Sequence, residues 1–187
     1  MNPPCTHWVS GGLPPVRCHS YTCPKKYKDA WKQLLDQHLA ASRIRELSSK
    51  YCLLSFLILK ADPTMLLRWV NDYCMLNDNT IPDHYLLPWI KMILSDCPKG
   101  SIWAKIDMMN SFFQTWVHPN DMKFTAVMTP FGLYEWVIMP MGCQDTPVTH
   151  QRRMNKALRK HIGKICHVYL DDIVIWSNSI VEHQENI

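Results

Sequence analysis

The spacing of apolar residues changes along the chain, and each change marks an element. Between residues 25 and 42, Ala30, Trp31, Leu34, Leu35, His38 and Leu39 recur at three- and four-residue steps, which places them on one face of a helix. Pro24 suits the first turn of that helix, where a missing N–H costs nothing. Cys52–Leu59 is apolar except for Ser55 and predicts a buried strand. Asp62-Pro63 predicts a turn and Leu66–Asp72 a second strand, so the pair forms a hairpin. Pro88 opens a short helix that runs through Ser95 and stops near Pro98.

Strands dominate the second half. Ile102–Met108, Phe124–Thr129 and Leu133–Ile138 are rich in β-branched and aromatic residues, and Pro130-Phe131-Gly132 makes a turn between the last two. Thr146 before Pro147 is an N-cap followed by proline at the first helical position. The helix it starts is expected to reach about His161, with Gly163 just past its end. Ile165–Leu170 and Ile173–Trp176 flank Asp171-Asp172, which predicts a hairpin with two carboxylates at its tip. Residues 1–24 hold Pro3, Pro4, Gly11, Gly12, Pro14, Pro15 and Pro24 and read as an irregular leader before a domain over 25–187. The fold class expected from this order is α+β.

Composition narrows the picture. Across 187 residues, 47% hydrophobic and 19% charged residues describe a globular chain with a real core. Twenty Lys and Arg against 16 Asp and Glu give a net charge of +4, which permits an acidic polymer as partner without requiring one. The longest apolar run is too short to span a bilayer and no signal peptide is evident, so no membrane partner is expected. None of the eight cysteines forms a C-x-x-C pair, which counts against a zinc module, and no calcium-loop spacing occurs. Cys18, His19 and Cys23 read as a chance cluster in the leader, and the thiols are expected to be reduced and intracellular.

Asp171 and Asp172 carry the chemistry. Adjacent acids between apolar strands repel each other in a poorly solvated place, and a hard cation relieves that repulsion. Asp107 closes the strand Ile102–Met108. If that strand lies beside the 165–176 hairpin, three carboxylates converge, and two Mg²⁺ ions about 4 Å apart could clamp the oxygens of a phosphoryl transfer. A solvated loop tip and a strand-end cap are the plain alternatives, and spacing alone does not choose between them.

The surrounding residues do choose. Tyr169-Leu170-Asp171-Asp172 resembles the Y-x-D-D box of reverse transcriptases. The run IDMMNSFFQTWVHPNDMKFTAVMTPFGLYEWVIMPMG resembles the palm segment of gypsy-like long-terminal-repeat retrotransposons, the fungal elements closely. So do RWVNDYCMLNDNTIPDHYLLPWI before it and KICHVYLDDIVIWS after it, and the likeness runs from about Tyr27 to the end. The resemblance implies fingers and a palm, with an antiparallel palm sheet backed by helices. It implies an RNA-directed DNA polymerase that adds deoxynucleotides to a primer 3′-hydroxyl on an RNA or DNA template. Asp107, Asp171 and Asp172 match the metal-binding triad for two Mg²⁺ ions, with Mn²⁺ a possible substitute. The carbonyl of Met108 matches a further ligand. Lys60 and Arg68 match residues that grip the deoxynucleoside triphosphate. Phe112 matches the gate that crowds a ribose 2′-hydroxyl. Pro140, Met141 and Gly142 match the segment beneath the templating base and incoming sugar.

The family's primer grip, thumb, connection, RNase H and integrase parts are expected elsewhere in a polyprotein, in a cytoplasmic particle or the nucleus. The sequence runs only 15 residues past Asp172, so the 187 residues alone are expected to give little processive synthesis. Arg152, Arg153, Lys156, Arg159, Lys160 and, just beyond the helix, Lys164 form a basic stripe, read as a solvated helix face.

The chain also departs from the family. Cys74, Trp89 and Trp116 stand where relatives have Arg, and Gln144 where Arg is common. Leu86, Met109 and Val148 replace the usual Pro, Thr and Ala. Each change is one C→T or G→A transition, the signature of a copy decaying by cytosine deamination. A remnant without catalysis, binding nucleic acid weakly, is therefore the alternative function. Loss of the Arg at Cys74 is expected to leave a buried acid such as Asp72 unpaired.

Overall fold

The amphipathic stretch after Pro24 becomes a 3₁₀ turn, Lys25–Tyr27, and helix α1, Lys28–Ala40, in the computed structural model, which describes residues 23–59 and 67–187. Strands β1 (Ile44–Glu46), β2 (Leu53–Ile58) and β3 (Arg68–Asn71) follow, then helices α2 (Cys74–Asp78) and α3 (Ile90–Asp96). Next come β4 (Ile102–Asp107), β5 (Val127–Thr129), β6 (Gly132–Trp136) and helix α4 (Thr146–Ala157). Strands β7 (Cys166–Tyr169) and β8 (Asp172–Ser177) and helix α5 (Ile180–Asn186) complete the order. No helix among the described residues is long and apolar enough to cross a membrane.

The described residues divide into two compact units. One is built from those up to Pro82 together with Phe112–Thr146, the other from Asp83–Ser111 and Pro147–Ile187. The first unit holds a five-stranded sheet in the order β1-β6-β5-β2-β3, parallel between β2 and β5 and antiparallel elsewhere. Leu35, Leu53, Tyr73, Leu76, Val127 and Met139 are buried in its core. His38 sits edge-on to Trp69, Phe113 and Trp136, at ring separations of 5.0 to 5.6 Å. The second unit holds a three-stranded antiparallel sheet, β4-β8-β7. Its chain enters β4 past Gly100, where a Cβ would lie 2.8 Å from the Trp176 Cβ; only glycine lets the backbone pass so close to β8.

Several boundaries differ from the sequence reading. β2 is half-buried rather than fully buried, since Leu54, Phe56 and Ile58 are exposed along it. Phe124 and Thr125 lie in a 3₁₀ turn, Met122–Thr125, instead of a strand. The cause is the Thr125 hydroxyl, which donates to the carbonyls of Met122 and Trp136 and accepts from the Trp136 N–H. Strand β6 stops at Trp136, and Ile138 keeps one isolated bridge to Trp116. Helix α4 ends at Ala157, and turns lead to Gly163, whose φ of +78° is left-handed. Arg159 and Lys160 are therefore not on the helix, and the basic stripe is not continuous. Neither β1 nor α2 was legible as periodicity, being three and five residues long. The Asp62-Pro63 turn and most of the leader lie outside the described residues.

Burial, with the Arg43 charge adding, holds the His38 pKa down to about 4. In the unfolded chain the imidazole titrates near 6.5. The unfolded state therefore takes up the proton first, so stability is complete above that value and is lost as pH falls toward 4. The loss is at most about 3 kcal/mol. His38→Phe keeps an aromatic ring in place and should flatten this part of the pH profile, measured as urea midpoints between pH 7 and 4. Parallel profiles for the two chains would clear His38 as the cause.

Candidate active site

The two acids at the hairpin are set by register. Tyr169 pairs with Asp172 across β7 and β8, which leaves Leu170 and Asp171 as the turn, and Leu170 is left-handed at φ +52°. On the other side of β8, Asp107 of β4 pairs with Asp172 and Lys105 with Val174. Directly opposed residues project to the same face of an antiparallel pair, and so do residues two apart in one strand. Asp107, Asp172 and Lys105 therefore share a face at one end of the sheet. Just past β4, the Met108 N–H donates to the Asp171 carbonyl at 3.0 Å and ties the strand end to the turn. The second unit thus brings together Asp107, Met108, Asp171 and Asp172.

Each carboxylate at the turn has a partner. The Lys105 ammonium lies 3.0 Å from Asp172 Oδ1. That hydrogen bond and the charges of Asp172 and Asp107 push the Lys105 pKa up, so it stays a cation. The Ser111 hydroxyl, itself buried, donates to Asp171 Oδ1, and His150 Nε2 is 3.6 Å from the same oxygen. Burial lowers the His150 pKa more than Asp171 raises it, so the ring is neutral at pH 7. As the side chains stand, no three His, Cys, Asp or Glu groups among the described residues gather around one point at ligand distance. The acids lean on Lys105 and Ser111.

The remaining predicted residues lie in the first unit. Arg68 opens β3 on the surface, its Nη2 3.7 Å from the Met141 sulfur. Pro140 is buried and its carbonyl accepts from the Thr146 hydroxyl. Gly142 is left-handed at φ +102°, and its carbonyl accepts from the Asn77 side chain at 3.0 Å. Phe112 is half-buried in a 3₁₀ turn, Ser111–Gln114. Lys60 lies outside the described residues. Asp72 corrects the expectation of a buried, unpaired acid: it is exposed, accepts from the Cys74 N–H at 3.0 Å and has its pKa lowered by the Cys74 hydrogen bonds. In the basic stripe, Arg152 is engaged by both Asp83 carboxylate oxygens and lies 4.9 Å from the Tyr85 ring centre.

Sequence reasoning missed Lys105 as a counter-charge, and Ser111, His150 and Gln151 as supports. Gln151 is fully buried and bonds to β7 and to the turn. A signal for it existed: Gln151 falls one helical turn after Pro147 and shares helical spacing with Met154 and Leu158, a polar residue among apolar ones.

A family model described as reverse transcriptase (RNA-dependent DNA polymerase) matches residues 58–187. The retrovirus-related Pol polyprotein from transposon opus of Drosophila melanogaster is 31% identical over 176 residues, covering 92% of this chain and 18% of that protein. The corresponding polyprotein from transposon gypsy of Drosophila melanogaster is 35% identical over 120 residues, 64% of this chain and 12% of that protein. The chain spans less than a fifth of the length of these relatives. Among solved structures, the foamy viral protease-reverse transcriptase in complex with dsDNA matches 99% of this chain and 38% of its own, with a TM-score of 0.86 at 21% identity. The fold is that of a reverse transcriptase, α+β as the sequence implies.

The Ser111 hydroxyl serves a carboxylate and is itself buried. Ser111→Ala should cost about 1.5–3 kcal/mol, the range for a hydrogen bond to a charged group. Urea unfolding at pH 7 measures it, and a change within error would mean that solvent replaces the hydroxyl at Asp171.

Proposed function

The chain belongs to the reverse transcriptase family, whose activity is RNA-directed DNA polymerisation, and from that premise we propose that it is the polymerising part of a gypsy-like long-terminal-repeat retrotransposon polyprotein. The observation that carries this reading is the register that sets Asp107 opposite Asp172, with Asp171 tied to Met108 beside them. The likeness of the palm segment favours an element of the fungal type. The domain is proposed to occupy residues 25–187.

The donor set fits a hard divalent cation: three carboxylates and a backbone carbonyl offer only oxygen, at an exposed sheet end where water and phosphate can complete the shell. Asp107, Asp171, Asp172 and the Met108 carbonyl would hold Mg²⁺, or Mn²⁺ in its place. When bound, the metal supplies charge neutralisation for an attacking 3′-hydroxyl and a leaving pyrophosphate. Lys105 and Ser111 meanwhile keep the carboxylates oriented on one face. In the first unit, Arg68 suits a triphosphate through its forked charge-assisted hydrogen bonds, and Lys60 is proposed to share that role. Pro140, Met141 and Gly142 are proposed to support the templating base and incoming sugar, Gly142 because only a residue without Cβ takes its φ easily. Template, primer and deoxynucleoside triphosphate are the proposed partners.

A second reading is favoured by one observation. Leu86, Trp89, Met109 and Trp116, all departures from the family, are 83%, 72%, 85% and 54% exposed. Apolar groups so placed describe a decaying copy that keeps its fold. Primer extension on an RNA template, with Mg²⁺ and deoxynucleotides, decides between the two. Short template-directed products, not processive synthesis, that disappear in Asp171→Asn are expected. No incorporation, or products unchanged in that variant, would leave the remnant reading standing.

Phe112 is proposed as the gate against ribonucleotides. Phe112→Val should raise ribonucleotide incorporation relative to deoxynucleotide incorporation by about tenfold or more, on the scale of 1.4 kcal/mol of lost discrimination. Competition assays with mixed nucleotides measure the ratio, and circular dichroism controls for folding. Unchanged sugar discrimination in a folded variant would assign Phe112 to packing alone.

A further inference from the structure

We propose that Gln151 is a positioning residue: it clamps the turn that carries Asp171 and Asp172 into the one shape that presents both acids. The inference rests on the metal-site reading above and adds the residue that shapes the site. Leu170 and Asp171 form a two-residue connection between β7 and β8, with φ positive at Leu170 alone. That is the sign pattern of a type II′ hairpin turn, whose first central position is ordinarily glycine. A leucine there is strained, and something outside the turn must hold it.

Gln151 is placed to do so. The side chain is completely buried on α4, and each end of its amide is committed. Oε1 accepts from the Leu170 N–H at 2.7 Å, a donor that the hairpin pairing does not use. Nε2 donates to the Val168 carbonyl at 2.9 Å, so one side chain grips the turn on both sides of Tyr169. The orientation of the amide is itself fixed. Nε2 also donates to Asn155 Oδ1 at 2.9 Å, and the Asn155 amide nitrogen donates to the Tyr85 hydroxyl at 2.7 Å. Reversing the Gln151 amide would set donor against donor at Leu170 and acceptor against acceptor at Val168. The clamp therefore acts on the backbone just before the acids, while Ser111 and the Met108 N–H act on Asp171 itself.

A residue that only filled space would be replaced by an apolar one of equal size, whereas a clamp requires its acceptor. Gln151→Met keeps the volume and loses every hydrogen bond; Gln151→Glu keeps an acceptor for Leu170 and loses the donors. Two readouts on the 187-residue chain test the proposal, with circular dichroism confirming that each variant folds. The first is amide hydrogen exchange at Leu170. Gln151→Met should speed it at least tenfold while the paired amides of β7 and β8 stay protected, and Gln151→Glu should lie between Met and wild type. The second is Mn²⁺ affinity in the absence of substrate, by paramagnetic resonance titration. Gln151→Met should weaken it on the order of 10–100-fold, the usual effect of a residue that orients metal ligands. Leu170→Gly should remove most of that loss in the double variant, because glycine holds a positive φ without help.

Unchanged exchange at Leu170 in a folded Gln151→Met would overturn the clamp. So would a metal-affinity loss that Leu170→Gly does not relieve, since the strain at Leu170 would then not be what Gln151 controls. A different result separates the two readings: Gln151-dependent exchange at Leu170, with no Asp171-dependent Mn²⁺ binding in the unaltered chain, supports the clamp and overturns the metal site.

Discussion

Mutual repulsion among Asp107, Asp171 and Asp172 is the constraint around which the second unit is arranged. Directly opposed residues of an antiparallel pair have Cβ atoms about 4.5–5.5 Å apart, and like charges placed so are destabilising, as at Asp107 and Asp172. The arrangement limits this in three ways visible in the contacts. The acids lie at the end of the sheet, where the side chains of Asp171 and Asp172 remain 36% and 44% exposed. Lys105 brings a cation to the same face. Ser111 offers a donor from a buried position, where a carboxylate without one would be costly.

Register is what makes these answers work together. A slip of one residue between β4 and β8 would carry Asp107 and Lys105 to the opposite face and leave Asp172 with neither. The register is pinned at both ends. Near Ser177 the backbone at Gly100 presses against β8 too closely for any side chain, and past Asp107 the Met108 N–H reaches the turn. Behind the sheet, Gln151 fixes the turn from α4. Position along the strand and shape of the turn are thus set by different residues, and neither set includes a carboxylate.

The sequence disclosed the parts of this arrangement that depend on local pattern. An apolar run, two acids and another apolar run describe a hairpin whatever else the chain does, and Thr146-Pro147 opens a helix by its own chemistry. Asp107 was legible as a strand end, but its partner was not, because period-two alternation states which face a residue takes and not which strand lies beside it. The same limit hid Lys105, Ser111 and Gln151, whose roles come from contacts 17 to 67 residues away in sequence. Local pattern also misled where a long-range bond intervened. Phe124 and Thr125 have strand-forming side chains, yet the bonds from the Thr125 hydroxyl to Met122 and Trp136 close them into a 3₁₀ turn.

The positions at which the resemblance implies an Arg lie on the charge side of the same division between fold and charge. Arg is coded largely by triplets that a single C→T or G→A change converts to Trp, Cys or Gln, and Arg side chains stand mostly at surfaces. Decay by such transitions therefore removes surface charge before it reaches the core. Cys74, Trp89, Trp116 and Gln144 are all exposed, and the core around Tyr73, Leu76 and Trp136 is closed. With Arg at those four positions the net charge of +4 would be +8, since 4 + 4 = 8. Affinity for a phosphate backbone rises with the number of cations that meet it, so such losses weaken the hold on nucleic acid while leaving the packing intact. Asp72 illustrates the point: exposed and bonded to the Cys74 N–H, it does not need an arginine to remain folded. Surface charge and the sheet that carries the acids are thus separable: none of those four positions takes part in the register that sets Asp107 opposite Asp172.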